Sequence, residues 1–472
     1  MRNQLQTFTD LANTLLPHET EYLLSVQQFK DEERLAILRQ VAFNSSNIEQ
    51  FTPYDTNIDK RKYNHLQNWI TNRLKAIDVD EQFHWMLDME QKIMTDTIRP
   101  SEEKELLKAI RNYTQNVFFF SKFYEVVEHY RHFLLVRIRY NDHQSADDFL
   151  TSYREEYIKA KKVYERLHEA TLDIVGQYSG ESVESKQWEE WLTEVFYNEQ
   201  LEGHIRYLAL VRSVFIAHNY RKYDLLREKF DYLGKSFSQG RYYSKRLLLN
   251  YYSNRLMLHS HFREYEQAVY YGYLSTRAKT HDYLFYVNNL CAVLLRLDRQ
   301  QEALQLMQKA APEAKKTKNF HNRVGYVAFY MEALNKNNLY KNAIGYGDSF
   351  LKAFAKEVIQ YRWHLFFSVY LESLMLQGQY EKLIKISQRF KLMERDKDYR
   401  TNAGYLPAVP LYIEAARYKE GLIQRKDFLT SVNNHIGFCQ QSPELSKGLK
   451  KLVTKFERWV PDVSTQLQQM VL

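Results

Sequence analysis

The sequence predicts an all-α fold on three observations. Residues that interrupt helices are scarce, apolar side chains recur at three- and four-residue steps, and the second half repeats a turn that leads into a helix. Only 14 glycines and 8 prolines occur in 472 residues, with no proline between Pro100 and Pro312, which suits helices joined by short polar turns. At 44% hydrophobic and 26% charged, the composition is that of a packed chain rather than a disordered one. Its length exceeds one ordinary core and calls for two to three domains or an array that grows by stacking. The 37 tyrosines and 27 phenylalanines suit narrow seams between helices, where a tyrosine buries its ring and keeps its hydroxyl bonded.

Residues 1–50 read as two or three short helices, with Asp31 placed to cap a segment carrying Leu35, Ile37, Leu38 and Val41. Pro53 then removes a donor and restricts Thr52, marking a boundary. From about residue 60 to 97, Tyr63, Leu66, Trp69, Ile70, Leu74 and Ile77, followed by Phe83, Met86, Leu87 and Met94, show helical periodicity divided near Asp78-Val79-Asp80. Ser101 ahead of Glu102-Glu103-Lys104-Glu105 predicts a capped start after Pro100. Long helices are expected through residue 140 and again from about 146 to 176. The run Tyr178-Ser179-Gly180-Glu181-Ser182 reads as a linker.

The second half repeats itself. Tyr265-Glu266-Gln267-Ala268, Gln300-Gln301-Glu302-Ala303, Tyr340-Lys341-Asn342-Ala343 and Tyr380-Glu381-Lys382-Leu383 each place a turn before a helix with a small or apolar fourth residue. Successive fourth places are 35, 40 and 40 residues apart, and a weaker copy at Tyr223-Asp224-Leu225-Leu226 precedes the first by 42. After residue 395, Arg395-Asp396-Lys397-Asp398-Tyr399-Arg400 and Gly404, then Pro407 and Pro410, read as an irregular connection, and helices near 411–424, 426–439 and 444–460 are placed to cap an array.

Over residues 205–395 this pattern resembles the tetratricopeptide repeat, a unit of about 34 residues built from helix A, a tight turn and helix B. The copy from Asn289 through Ala303 fits best, with Asn289, Leu290 and Leu294 at helix A positions of the family, and Asn254 repeats the asparagine one copy earlier. Cys291 and Leu256 stand where the family commonly has glycine, so the repeats are divergent. The resemblance implies an α-solenoid of tetratricopeptide-like repeats in which helix A lines a concave face that holds a peptide or a partner helix. On that implication Asn250, Ser253, Asn254, Asn288, Asn289, Glu332, Asn335 and Glu372 are the partner-binding candidates, since an asparagine offers both a donor and an acceptor to a peptide backbone.

The organisation expected is an acidic helical N-terminal domain over residues 1–200, a basic repeat array over 201–425 and capping helices over 426–472. Residues 1–200 carry 24 Lys and Arg against 34 Asp and Glu, while 201–472 carry 42 against 24. The asymmetry points to an acidic partner, to nucleic acid, or to attraction between the two halves. The segment from Arg241-Tyr242-Tyr243 through Lys245 to Arg255 interleaves cations with rings, and Arg241, Lys245 and Arg255 on one stripe are the candidates for phosphate contacts.

Chemistry is hard to find. The sequence holds no P-loop, GxGxxG, GxSxG, HExxH or paired CxxC motif, and Cys291 and Cys439 read as packed or idle thiols. Glu81-Gln82-Phe83-His84 and Glu165-Arg166-Leu167-His168 place a carboxylate and an imidazole one helical turn apart, a spacing used by di-metal bundles but common by chance. Glu125, Glu128, His129 and His132 form a second polar cluster, read as an interhelical contact. No secretory signal and no stretch of about 18 apolar residues is evident. The expectation is a cytoplasmic, non-catalytic adaptor or regulator with no cofactor or metal, binding a protein or peptide away from membranes. The alternative is a nucleic-acid-associated protein.

Overall fold

A computed structural model describes residues 5–48, 50–113, 117–178, 184–400, 405–437 and 443–469. Among them all regular structure is helical, and no helix is long and apolar enough to cross a membrane. The chain divides into two compact units, residues 1–262 with 273–278 and residues 263–272 with 279–472.

In the first unit, α1 (Gln6–Ala12), α2 (Pro17–Val26), α3 (Glu32–Ser46) and α4 (Lys60–Ile77) close around Phe8, Leu23, Leu38, Tyr63 and Ile70. Asp31 caps α3 as anticipated, accepting from the backbone N–H of Glu33 at 3.0 Å and of Arg34 at 3.4 Å. A second core of Met86, Leu106, Val127, Tyr130 and Phe149 is built by α5 (Val79–Met94), α6 (Pro100–Arg111), α7 (Phe120–Val136) and α8 (Tyr140–Ser152). Helices α4 and α5 part at Asp78, whose carboxylate accepts from Asp80 N–H at 2.9 Å.

Three local expectations are revised here. Helix α6 starts at Pro100, and the carboxylate of Glu102, rather than Ser101, turns back to take Arg99 N–H at 3.0 Å. The helix expected through residue 140 ends at Val136, because Ile138 takes a left-handed φ of 58° and Arg139 N–H closes the turn on the Leu134 carbonyl at 3.1 Å. The helix expected from 146 to 176 is instead α8 followed, after Tyr153, by α9 (Arg154–Tyr178). Tyr178 closes α9, and residues 179–182 of the anticipated linker lie outside the described residues, as does Cys439. Helices α10 (Glu189–Tyr197), α11 (Gly203–Tyr220), α12 (Asp224–Ser238) and α13 (Lys245–His261) follow, with α9 and α10 against α11 and α2 against α12. Helix α14 (Tyr265–Ser275) runs through the segment divided between the units.

The second unit contains α15 (Tyr283–Arg296), α16 (Gln300–Lys316), α17 (Phe320–Lys336), α18 (Tyr340–Tyr361), α19 (Trp363–Leu376) and α20 (Tyr380–Arg389) as three helical hairpins. After them come α21 (Leu392–Tyr399), α22 (Ala408–Lys419), α23 (Arg425–Gly437), α24 (Pro443–Phe456) and α25 (Ser464–Gln469), so that residues 395–399 and Pro410, expected in an irregular connection, are helical instead, Pro410 in the first turn of α22 where a missing N–H costs no bond. The first helices pack in succession, α15 on α17, α17 on α19 and α19 on α22, and each second helix also packs on the next first helix.

Helices α14, α16, α18 and α20 begin at Tyr265, Gln300, Tyr340 and Tyr380, the residues that open the sequence repeats. The turns within the three hairpins are alike. Asp298, Asn338 and Gly378 take φ of 56°, 61° and 66°. The following N–H groups, of Arg299, Leu339 and Gln379, close on the carbonyls of Leu294, Leu334 and Leu374 at 2.9–3.0 Å. This is how a helix end satisfies its orphan carbonyls. Ala303, Ala343 and Leu383 are fully buried at the helix crossings. The 40-residue intervals are taken up by longer elements: α16 has 17 residues and α18 spans 22 across a kink at Phe354, against 11 in α14.

Candidate partner-binding surface

The first helices of the second unit bring polar side chains together in two ways. Asn288 is buried on α15 and donates through Nδ2 to the Asn322 carbonyl on α17 at 3.1 Å. Asn335, buried near the end of α17, donates to Ser373 Oγ on α19 at 2.9 Å. These amides tie successive hairpins to one another. Gly325 allows a close approach at the same face, since a Cβ there would fall 2.5 Å from Arg362 Nη1 and 3.1 Å from Asn288 Nδ2. Asn289 is half-buried.

The two carboxylate candidates of this unit, Glu332 and Glu372, belong to a charged group. Glu372 on α19 accepts from Lys455 Nζ of α24 at 2.7 and 2.9 Å, and the Tyr412 hydroxyl of α22 hydrogen-bonds the same carboxylate. Glu332 on α17 is half-buried. Burial first, and the Glu372 charge second, push its carboxyl above the usual range, while Lys455, Lys336 and Arg296 pull the other way. The surface is therefore a mixed-charge group, with Arg296 and Lys336 exposed in the last turns of their helices. Arg296, Lys336 and Lys455 were not among the candidates. Lys336 had a signal, standing four residues after Glu332, and Lys455 had none.

On α13, in the first unit, Asn250, Ser253 and Asn254 are largely turned inward to local partners. Tyr207 OH donates to Asn250 Oδ1 at 2.9 Å, and Asn254 Nδ2 donates to both the carbonyl and Oδ1 of Asn250, each at 2.9 Å. Ser253 is buried. The basic candidates meet carboxylates. Lys245 Nζ lies 2.7 Å from the buried carboxylate of Glu19 on α2, Arg255 Nη1 lies 2.5 Å from Asp231, and Arg241 Nη1 lies 3.8 Å from Glu199. Arg246 adds a pair with Asp80 at 2.8 Å. Two of these four pairs join the acidic N-terminal region to the basic segment after Tyr242.

Comparison with known proteins adds nothing to this geometry. No family model, curated protein or solved structure matches the chain.

Among the described residues, no three His, Cys, Asp or Glu side chains converge as metal ligands would. Glu125 takes Lys161 at 2.7 Å and Glu90 takes Lys122 at 2.7 Å, with His129 Nδ1 3.4 Å from Glu90, so Glu125 and His129 of this cluster face partners on neighbouring helices. Cys291 is buried and its thiol is pushed well above its ordinary value by desolvation, the environment of an inert thiol.

Proposed function

We propose that the second unit is an α-solenoid of divergent tetratricopeptide-like repeats and that the chain acts as a non-catalytic adaptor or regulator. It grips a protein or peptide partner on the first-helix face around Arg296, Glu332, Lys336 and Glu372. One observation carries this reading: three successive hairpins share the same left-handed turn and pack first helix on first helix, so that side chains of one helical stripe recur along one surface. Groups of both signs there suit a partner that carries both signs, for which charge placement sets specificity more than affinity.

Pairing of Lys245, Arg246 and Arg255 with carboxylates leaves that basic segment less charge to offer phosphates, which favours the protein-partner reading over nucleic acid. The test is recovery of a co-purifying protein on the 472-residue chain, compared with Arg296→Glu/Lys336→Glu. Both side chains are exposed, so the variant should fold. The expected result is at least a tenfold loss of the partner. Undiminished recovery would remove the groove, and retention on nucleic acid that falls steeply with salt would replace the proposal with the alternative.

A further inference from the structure

The first unit contains a cavity of about 300 Å³, walled by the end of α4 and start of α5, by Phe118, by the entry to α11 and by the turn Gly240-Arg241-Tyr242. That volume lies at the lower end of the range for small-ligand sites, about 300–1,000 Å³. Its walls are chemically uneven. Ile77, Val79, Phe118 and Leu201 supply an apolar side, and Arg206, Arg241 and Glu199 supply the charge.

Arg206 is the unusual group. It is 5% exposed, and no described carboxylate pairs with it. Its Nε donates to the Phe196 carbonyl at 2.8 Å and its Nη2 to the Tyr232 hydroxyl at 2.7 Å. The guanidinium lies 5.6 and 5.5 Å from the ring centroids of Tyr232 and Tyr242, and its Nη1 donates to no described acceptor. A buried cation is ordinarily paired, and rings on its flanks answer only part of that need.

The backbone is shaped to keep this arrangement. Tyr242 holds a left-handed φ of 56°, costly for a bulky side chain, and its ring lies against Gly203, where a Cβ would fall 2.6 Å from Tyr242 Cε1 and 2.5 Å from Phe118 Cδ2. A side chain at 203 would displace both rings from the cavity wall.

We infer that this cavity binds a small amphipathic organic monoanion, its carboxylate on Arg206 with Arg241 at the rim, and its apolar body along Ile77, Val79, Phe118 and Leu201. Two guanidinium groups against the one Glu199 carboxylate leave a single net positive charge among the lining groups, which matches a monoanion and disfavours a phosphate dianion beside Glu199. The apolar side disfavours a bare ion.

Calorimetric titration of the full chain with butanoate, hexanoate and octanoate tests this, with octylammonium and inorganic phosphate as controls. Octanoate should bind once per chain, roughly three- to fourfold more tightly per added methylene along the series, and octylammonium should not bind. Arg206→Met should weaken octanoate at least tenfold, and Arg241→Gln, at an exposed position, about two- to threefold. Ala76→Trp, at the exposed rim, should abolish binding while leaving the circular dichroism unchanged. If Arg206→Met unfolds, the two rim variants decide. Absence of saturable octanoate binding would overturn the inference. So would octanoate binding indifferent to both rim variants, or phosphate binding more tightly than octanoate.

Discussion

Glu19 in the first unit and Glu372 in the second each hold a lysine ammonium at 2.7 Å, yet the two pairs stand in different surroundings. The Glu19 side chain is sealed at 0% exposure. It also accepts from Leu16 N–H at 2.7 Å and from the Tyr243 hydroxyl at 2.5 Å, so it ties α2 to the basic segment. Glu372 keeps 16% exposure and its partner Lys455 keeps 42%. Distance alone ranks these pairs equal, and desolvation separates them. The first unit holds its helices by buried polar ties. The second joins its hairpins by close packing and the buried amides of Asn288 and Asn335, and leaves the Glu372–Lys455 pair partly open to water.

The widest gap should appear on truncation of the buried partner. Glu19→Ala strands the Tyr243 hydroxyl and the first turn of α2, leaves Lys245 only water and the Thr14 carbonyl, and should cost about 3 kcal/mol or somewhat more. Because a chain of two units need not unfold in one step, hydrogen exchange is the appropriate measurement. Protection should fall in α2, α12 and α13, while α15 to α20 keep theirs. Uniform loss across both units would break the comparison.

A second buried carboxylate of the first unit gives a test with a defined pH window. Glu202 precedes α11 and accepts from Ser121 N–H at 2.6 Å, and desolvation pushes its carboxyl up to about 7. Glu125 adds to the rise and Lys161 opposes it. The folded chain keeps this proton after the unfolded chain has lost it, so stability is full below the ordinary carboxylate value and declines as pH rises toward 7. Glu202→Gln retains an acceptor for Ser121 and removes the decline. It should be about 3 kcal/mol more stable than the parent at pH 8 and nearly equal to it at pH 4. Denaturant melts at the two pH values check this, and an equal difference at both would sink it.

In the second unit the equivalent lever is steric. Gly347 on α18 faces Tyr370 of α19 and Met331 of α17, and a Cβ there would meet Tyr370 Cδ2 at 2.6 Å and Met331 Sδ at 2.8 Å. Alanine in a helix is ordinarily worth about 1 kcal/mol over glycine, but displacing a fully buried ring costs about 1–3 kcal/mol. Gly347→Ala should therefore lose up to about 2 kcal/mol, read as weaker exchange protection in α17 to α19. A stabilised variant would mean that the hairpins pack less closely than this.

These examples also show what the sequence could convey. The openings at Gln300, Tyr340 and Tyr380 were legible because each follows a polar turn and precedes a small or apolar residue at a helix crossing. The stop at Ile138 was not, since a β-branched residue is an unlikely choice for a left-handed turn and its neighbours continue the apolar period. The tyrosines Tyr252, Tyr286, Tyr326, Tyr370 and Tyr412, one fully buried on each of α13, α15, α17, α19 and α22, do not stand out by type among so many aromatics, and Tyr252, which the sequence places on the basic stripe, is a core residue. Asn288 and Asn335 were found by type and position, but their ties to Asn322 and Ser373 depend on how neighbouring hairpins pack. Arg206 could not be singled out, because the walls around it come from four separated stretches of chain.

The smallest effect expected is at the exposed pair. Lys455→Ala should change stability by less than about 1 kcal/mol, since a half-exposed ammonium gains little beyond what water provides. Tyr412 still hydrogen-bonds Glu372 in that variant. The informative readout is the carboxyl of Glu332. Lys455 is among the cations that hold its pKa down, and burial and Glu372 are what raise it, so removing the ammonium should move proton release to still higher pH. Carbon-detected NMR titration of the glutamate side chains in parent and variant measures this directly. A Glu332 titration that does not move would separate Lys455 from the charged group on the first helices, and the second unit would then hold Glu372 through α22 alone.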